Sequence, residues 1–211
     1  MQANRSREWQ IWQDQLLLCQ ACVLCQTRTR IVCGNGNAKA SIVLLGEAPG
    51  KQEDLSGIPF CGQAGKILDD FLAATGIQKE TLYIGNTVKC RPVAVSKKGS
   101  GFVNRKPQKK EQQACKPWLA QELFLLDPQV IVTLGAVPLS HFIQKAPKMS
   151  QWHGRPFDYL PSYISEQNEK KKWLIFPLYH PAALIYDRKK VVDYQTDLYL
   201  LAQILREKEL L

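Results

Sequence analysis

The chain has 211 residues, 45% of them hydrophobic, enough to bury the core of one sizeable domain. No apolar run approaches the ~20 residues of a membrane span, and the opening MQANRSREWQIWQDQ lacks an apolar signal region. An odd set of seven cysteines argues against a disulfide framework, so the expectation is a soluble, cytoplasmic chain whose net charge of +9 calls for an anionic partner.

Residues 5 to about 26 read as an amphipathic helix with Trp9, Trp12, Leu16 and Leu17 inward. Its end, LLLCQACVLCQTRTR, holds Cys19, Cys22 and Cys25. Cys19-x-x-Cys22 puts two thiols within reach of one metal centre, and Cys90 and Cys115 lie further on. Four thiolates suit zinc or an iron–sulfur cluster, and the plain alternative is that Cys90 and Cys115 are buried packing residues. Cys25 makes a second CxxC with Cys22, so the pairing stays ambiguous, and Cys33 and Cys61 read as packing residues. GNGNAKA (34–40) lacks the third glycine of a dinucleotide fingerprint and precedes a strand.

SIVLLG (41–46) is the first strand. The loop after it, GEAPGKQEDLSGIPFCGQAG (46–65), carries Glu47, Glu53, Asp54 and Phe60 on a path set by glycine and proline. Its GEAPGKQ segment misses phosphate-loop spacing and has no Ser or Thr after the lysine. A loop this long is more often functional than a plain connection. A helix follows over 64–75, then the strand TLYIGN (81–86) with Asn86 at its end. A carboxamide both donates and accepts, so Asn86 can read a pyrimidine edge, the alternative being a turn residue.

Between Glu80 and Glu111 there is no acid, while Lys89, Arg91, Lys97, Lys98, Arg105, Lys106, Lys109 and Lys110 nearly account for the excess charge. That local field suggests nucleic acid, against a simple solvated loop. Next come a helix over about 107–126, kinked or restarted at Pro117, the strand PQVIVTLG (128–135) and a helix over about 136–144. The strand KWLIFPLYH (172–180) ends in His180, with Pro181 setting the turn, and a last helix runs 188–207. The remaining loops are 47–63, 91–106 and 145–170. Strands alternating with helices predict an α/β fold: three layers, α/β/α, around a central, mainly parallel four-stranded sheet. Ligands then sit outside the carboxyl ends of the strands, where Glu47, Asn86, Gly135 and His180 converge.

The ordered motifs CQAC…RTR, GEAPG…ED…GIPFCGQAG…LD, YIGNTVKCRP, NRKP…E…C, VIVTLG and YHPAAL span about residues 19–186. Together they resemble the family 4, iron–sulfur-containing uracil-DNA glycosylases. The resemblance implies one domain over 1–211, with a cluster-binding N-terminal helix (about 5–26) and a flexible basic insertion (about 93–106). It implies a structural 4Fe-4S cluster on Cys19, Cys22, Cys90 and Cys115, with Cys25 outside the ligand set. It implies hydrolysis of the uracil–deoxyribose bond in DNA, with the base flipped into a pocket, by an ordinary hydrolase rather than a relative that crosslinks to its product. Phe60 would stack on uracil, Asn86 would read its edge, and His180 would stabilise the departing base. Gly46 and Ala48 would line the pocket, Leu184 would be a wedge in the gap left by the flipped base, and Pro181 and Ala182 would hold that loop near DNA. Glu47 is the first candidate to position water, with Glu53 and Asp54 next. Lys89, Arg91, Lys97, Lys98, Arg105 and Lys106 would contact phosphates. Cys61 departs from the family's usual valine. The protein would act as a monomer on uracil-containing DNA. Two other readings stay open: a non-catalytic nucleic-acid-binding module of the same fold, and a zinc or redox protein unrelated to DNA.

Overall fold

The four apolar runs become the middle of one sheet. A computed structural model of the chain describes residues 2–96, 99, 101–143, 146–161 and 172–211. β2 (Ile42–Gly46), β3 (Leu82–Asn86), β6 (Val130–Leu134) and β8 (Trp173–Leu178) run parallel. Successive side chains of a strand point to opposite faces, so runs without polar alternation demand cover on both. Ile42, Leu44, Ile84, Val132 and Phe176 face one hydrophobic cluster, and Val43, Leu45, Tyr83, Ile131 and Ile175 face the other. The first is covered by α3 (Gln63–Thr75) and α8 (Lys190–Glu207), the second by α4 (Lys109–Leu126). The final helix docks through Leu198, Leu201 and Leu205, all buried, each contributing roughly 1.5–3 kcal/mol.

Among the described residues the sheet has six strands, two short antiparallel edges joining the four expected parallel ones. β1 (Asn35–Gly36) pairs antiparallel with β3, and β7 (Phe157–Tyr159) with β8, giving the order β1-β3-β2-β6-β8-β7. The chain turns to opposite sides of β2, which opens a crevice at the carboxyl ends. The expected loop 91–106 is a hairpin, β4 (Val93–Val95) with β5 (Phe102–Asn104). The loop 47–63 contains α2 (Lys51–Ser56), and the stretch expected as loop over 145–170 contains α6 (Met149–Trp152) besides β7. α5 (Ala136–Leu139) is shorter than the expected 136–144, and α7 (Pro181–Tyr186) follows β8.

The N-terminal helix also ends early. α1 (Gln2–Leu17) stops before the cysteines, and a 3-10 turn covers Val23–Gln26. Trp12 and Leu16, one turn apart, are buried against a third cluster that includes Cys90, Cys115 and Leu125, while Leu17 is exposed. A continued helix would carry Cys22 away from that cluster. Pro117 does not break α4. The carbonyl it frees belongs to exposed Gln113, so water can satisfy it. Among the described residues, no helix is long and apolar enough to cross a membrane.

Candidate active site

A cavity of about 450 Å³ lies at the carboxyl ends of β2, β3 and β8, lined in part by Glu47, Ala48, Glu53, Phe60, Asn86 and His180. Register brings the first two strands together there, with Gly46 opposite Asn86. Gly46 has no room for a side chain: a Cβ on it would lie 2.4 Å from Asn86 Oδ1 and 2.7 Å from Phe60 Cζ. Its absent side chain lets the carboxamide and the ring share the cavity. Phe60 has φ of 54°, a left-handed conformation costing roughly 1–2 kcal/mol for a residue with a Cβ. The first turn of α3 packs closely against it: a Cβ on Gly65 would fall 1.8 Å from the Phe60 carbonyl oxygen, so only glycine fits there.

His180 caps α7. Its Nδ1 accepts the Ala182 N–H at 3.1 Å, and Pro181 occupies the first helical position. With Nδ1 accepting, the proton of the neutral ring sits on Nε2. Burial lowers its pKa to about 4, partly offset by the Glu53 carboxylate, so the imidazole is neutral at physiological pH. Its ring and that of Phe60 stand 6.0 Å apart at 28°. Glu53 Oε1 accepts the Gly62 N–H at 2.8 Å. Burial raises the Glu47 pKa, against the pull of Lys106. The Glu47 carbonyl accepts from Val88 N (3.1 Å) and Thr87 Oγ1 (2.7 Å), anchoring the loop to the end of β3. Asp54 is not an alternative to Glu53. It is buried and accepts the backbone N–H groups of Thr29 (2.9 Å) and Arg30 (3.4 Å), tying the cysteine-bearing segment to α2.

Cys19, Cys22, Cys90 and Cys115 gather at the third cluster. Arg28 Nη1 donates to Cys90 Sγ at 3.4 Å and its Nη2 to the Cys19 carbonyl at 2.7 Å, while Lys89 N–H donates to Cys115 Sγ at 3.3 Å. Burial raises the pKa of Cys90 to about 12 and of Cys115 to about 11, with the neighbouring cysteines adding to the rise. Thiolates here therefore need a bound cation. Among the described residues, no three His, Cys, Asp or Glu side chains close tightly enough to hold a metal ion. The donor set, with its N–H groups aimed at sulfur, has the chemistry that a polynuclear cluster requires. Arg28 escapes a reading by spacing, although the RTR next to the cysteines marks the place. Cys25 lies in the 3-10 turn beside them. Cys33 packs against this cluster, but Cys61 is exposed, within 3.2 Å of Ser56 Oγ, and is not a packing residue.

The basic residues separate. Lys89 is fully buried, with Nζ 2.5 Å from Glu122 Oε2, and Tyr83 Oη donates to the other carboxylate oxygen at 2.8 Å. It cannot reach a phosphate, which corrects the expectation from charge. Arg105 forks onto Glu111 at 2.8 and 2.6 Å and donates to the Val93 carbonyl at 2.8 Å. It braces the hairpin against α4 and has no spare fork for DNA. Arg91 donates to Asn104 Oδ1 at 2.7 Å, and Lys106 is exposed. Lys97 and Lys98 lie outside the described residues. Leu184 is 6% exposed within the core, so it is no wedge as it stands; the side chain pointing out beside it is Ile185.

The family model of the uracil DNA glycosylase superfamily matches residues 33–202. A type-4 uracil-DNA glycosylase of Thermotoga maritima is 37% identical over 186 residues, 88% of this chain and 87% of that protein. The type-4 uracil-DNA glycosylase of Archaeoglobus fulgidus is 34% identical over 199 residues, 92% of both chains. Part of a DNA polymerase of Bacillus phage SP01 is 27% identical over 176 residues, 83% of this chain and 17% of the polymerase.

Proposed function

The chain belongs to the uracil-DNA glycosylase superfamily, and from that premise we propose that it hydrolyses the N-glycosidic bond of uracil in DNA, leaving an abasic site for base excision repair. The observation that carries the reading is a half-buried histidine, its imidazole neutral, sharing one cavity with Phe60 and Asn86. A base inside a duplex is out of reach, so the uracil enters flipped out. Phe60 stacks on its face. Asn86 offers a donor and an acceptor to its edge, a pattern that cytosine reverses at position 4. As the C1′–N1 bond breaks, its electron pair leaves on uracil, and the Nε2–H of His180 stabilises that charge without giving up its proton. Water attacks C1′ from the side of Glu47, whose carboxylate accepts the water's proton. Its raised pKa suits a base. Glu53 adds negative charge near the cationic sugar.

Cys19, Cys22, Cys90 and Cys115 would hold the 4Fe-4S cluster, which, when bound, crosslinks the N-terminal segment, the end of β3 and α4. Arg91 and Lys106 remain as phosphate contacts. The likeness to a polymerase segment favours, as a second reading, a DNA-binding module without catalysis.

A labelled oligonucleotide with one uracil, incubated with the protein and then with hot alkali, tests the proposal. Breakage only at uracil supports it. His180→Ala is then expected to cost about 10²–10³ in kcat, the usual loss of one charge-stabilising donor, and Asn86→Asp to weaken uracil excision and admit cytosine. No breakage from intact, iron-loaded protein would leave the binding module as the reading.

A further inference from the structure

The hairpin beside the cavity carries an apolar face that the fold leaves uncovered. Val93 pairs with Asn104 and Val95 with Phe102. Directly opposed residues, and residues two apart, share a face of an antiparallel ladder, so these four side chains form one surface. Asn104 fixes where it looks. It lines the cavity, and its Nδ2 lies 3.4 Å from where a Cβ on Gly50 would stand. Two residues outward, about 7 Å at strand spacing, are Val95, 74% exposed, and Phe102, 56% exposed. An aromatic and a β-branched residue on a two-stranded hairpin gain nothing from water.

Charge complementarity names the occupant. The hairpin sits in a stretch, 81–110, without an acidic residue, and Arg91 and Lys106 flank its base. A partner that is anionic along its backbone and flat and apolar along its faces matches both features, and a nucleic-acid strand is such a partner. Leu184, expected to fill the stack, is in the core, which leaves exposed apolar groups such as Ile185 and Phe102 to hold opened DNA, and of these two only Phe102 has a ring.

We propose that Phe102, backed by Val95, is a stacking platform for an unpaired nucleobase next to the target nucleotide, so that the hairpin holds the strand at the mouth of the cavity. The proposal rests on the glycosylase reading. Every base presents a π-face, so the platform is sequence-tolerant. It adds to phosphate contacts without replacing them.

The test uses the full-length protein and a single-stranded oligonucleotide carrying one uracil beside 2-aminopurine. Phe102→Ala is expected to weaken binding about tenfold, with the loss falling on KM, and Phe102→Trp to restore it. Phe102→Leu keeps an apolar side chain without the ring and is expected to bind like the alanine variant. The plot of log Kd against log salt keeps its slope in Phe102→Ala, whereas Lys106→Ala loses about 0.7 from it on single strands. The 2-aminopurine brightens in the alanine complex because its stacking partner is gone. Wild-type affinity and dark 2-aminopurine in Phe102→Ala would overturn the platform. So would an unchanged affinity with altered sedimentation, which would assign the face to a second copy of the chain. If wild-type protein releases no uracil, the glycosylase reading fails, while the binding and fluorescence arms still decide the platform.

Discussion

Replacing Gly46 with alanine is expected to disable the pocket while leaving the fold standing. The new Cβ would lie 2.4 Å from Asn86 Oδ1 and 2.7 and 2.8 Å from Phe60 Cζ and Cε2. Carbon contacts relax near ~3.5–4.0 Å, so the ring must retreat by about 1 Å. The Phe60 backbone already lies close against the first turn of α3, where only glycine fits at position 65, so the ring takes most of the displacement. The Asn86 backbone is held as well, since Asn86 pairs with Gly46 on β2 and β1 pairs with β3 two residues back, at Ile84. The side chains must move instead, and both leave the positions from which they are proposed to hold uracil. A misplacement of about 1 Å costs on the order of 10²-fold in rate, or about 2.7 kcal/mol of barrier, against roughly 1–3 kcal/mol of stability for the overpacking. Single-turnover excision with excess enzyme, run beside thermal unfolding and iron analysis, separates the two. The expected result is excision slowed about 100-fold in a folded protein with unchanged iron. Wild-type excision by Gly46→Ala would refute the reasoning, because Asn86 and Phe60 could not then be the walls that hold the base.

Lys89→Met leaves the Glu122 carboxylate buried beside Tyr83 without its cation and is expected to cost about 3–5 kcal/mol by denaturant titration, with Lys89→Met/Glu122→Leu recovering much of it; a single variant as stable as wild type would sink this account. Asp54→Ala removes the acceptor of two backbone donors, Thr29 and Arg30, that water can then reach, and is expected to lower stability by about 0.5–1.5 kcal/mol per hydrogen bond lost and to speed the loss of the proposed cluster's iron, read from visible absorbance over time. The folded His180 titrates near about 4 and the unfolded one near 6.5. Between those values the unfolded chain binds the extra proton, so this contribution is complete above pH 6.5 and lost as pH falls toward 4, on the order of 3 kcal/mol in all. Protonation would also set Nδ1–H against the Ala182 N–H. The acid limb of kcat/KM then reports Glu47, raised from its usual value, and His180; a break near 6.5 that persists in Glu47→Gln would show the histidine to be solvated instead.

The central strands and the edge that carries the chemistry are legible in the chain. Runs such as IVLLG and VIVTL have no polar alternation, Thr133 being the one polar side chain in them, which a sheet covered on both faces satisfies, and the polar or turn-forming residues after each run fall at its carboxyl end by chain direction alone. The short edges β1 and β7 and the hairpin are not legible in this way. Asn35–Gly36 has no hydrophobic period, and three-residue strands such as Val93–Val95 are recognisable only once a partner is beside them.

The side chains that moved from one role to another did so for long-range reasons. Lys89 looks like part of a basic surface until Glu122, 33 residues on, is found against its Nζ. Arg105 reads as a phosphate contact until Glu111 takes its fork. Leu184 turns inward because α7 packs on α3, and Asp54 serves the backbone of Thr29 rather than the cavity. Local pattern determines which segments pair and where a ligand would lie, because periodicity and turn chemistry act over a few residues. Which charges are spent inside, which apolar groups face outward and which residues share a cavity is decided by contacts between distant segments, and only the packed structure brings those together.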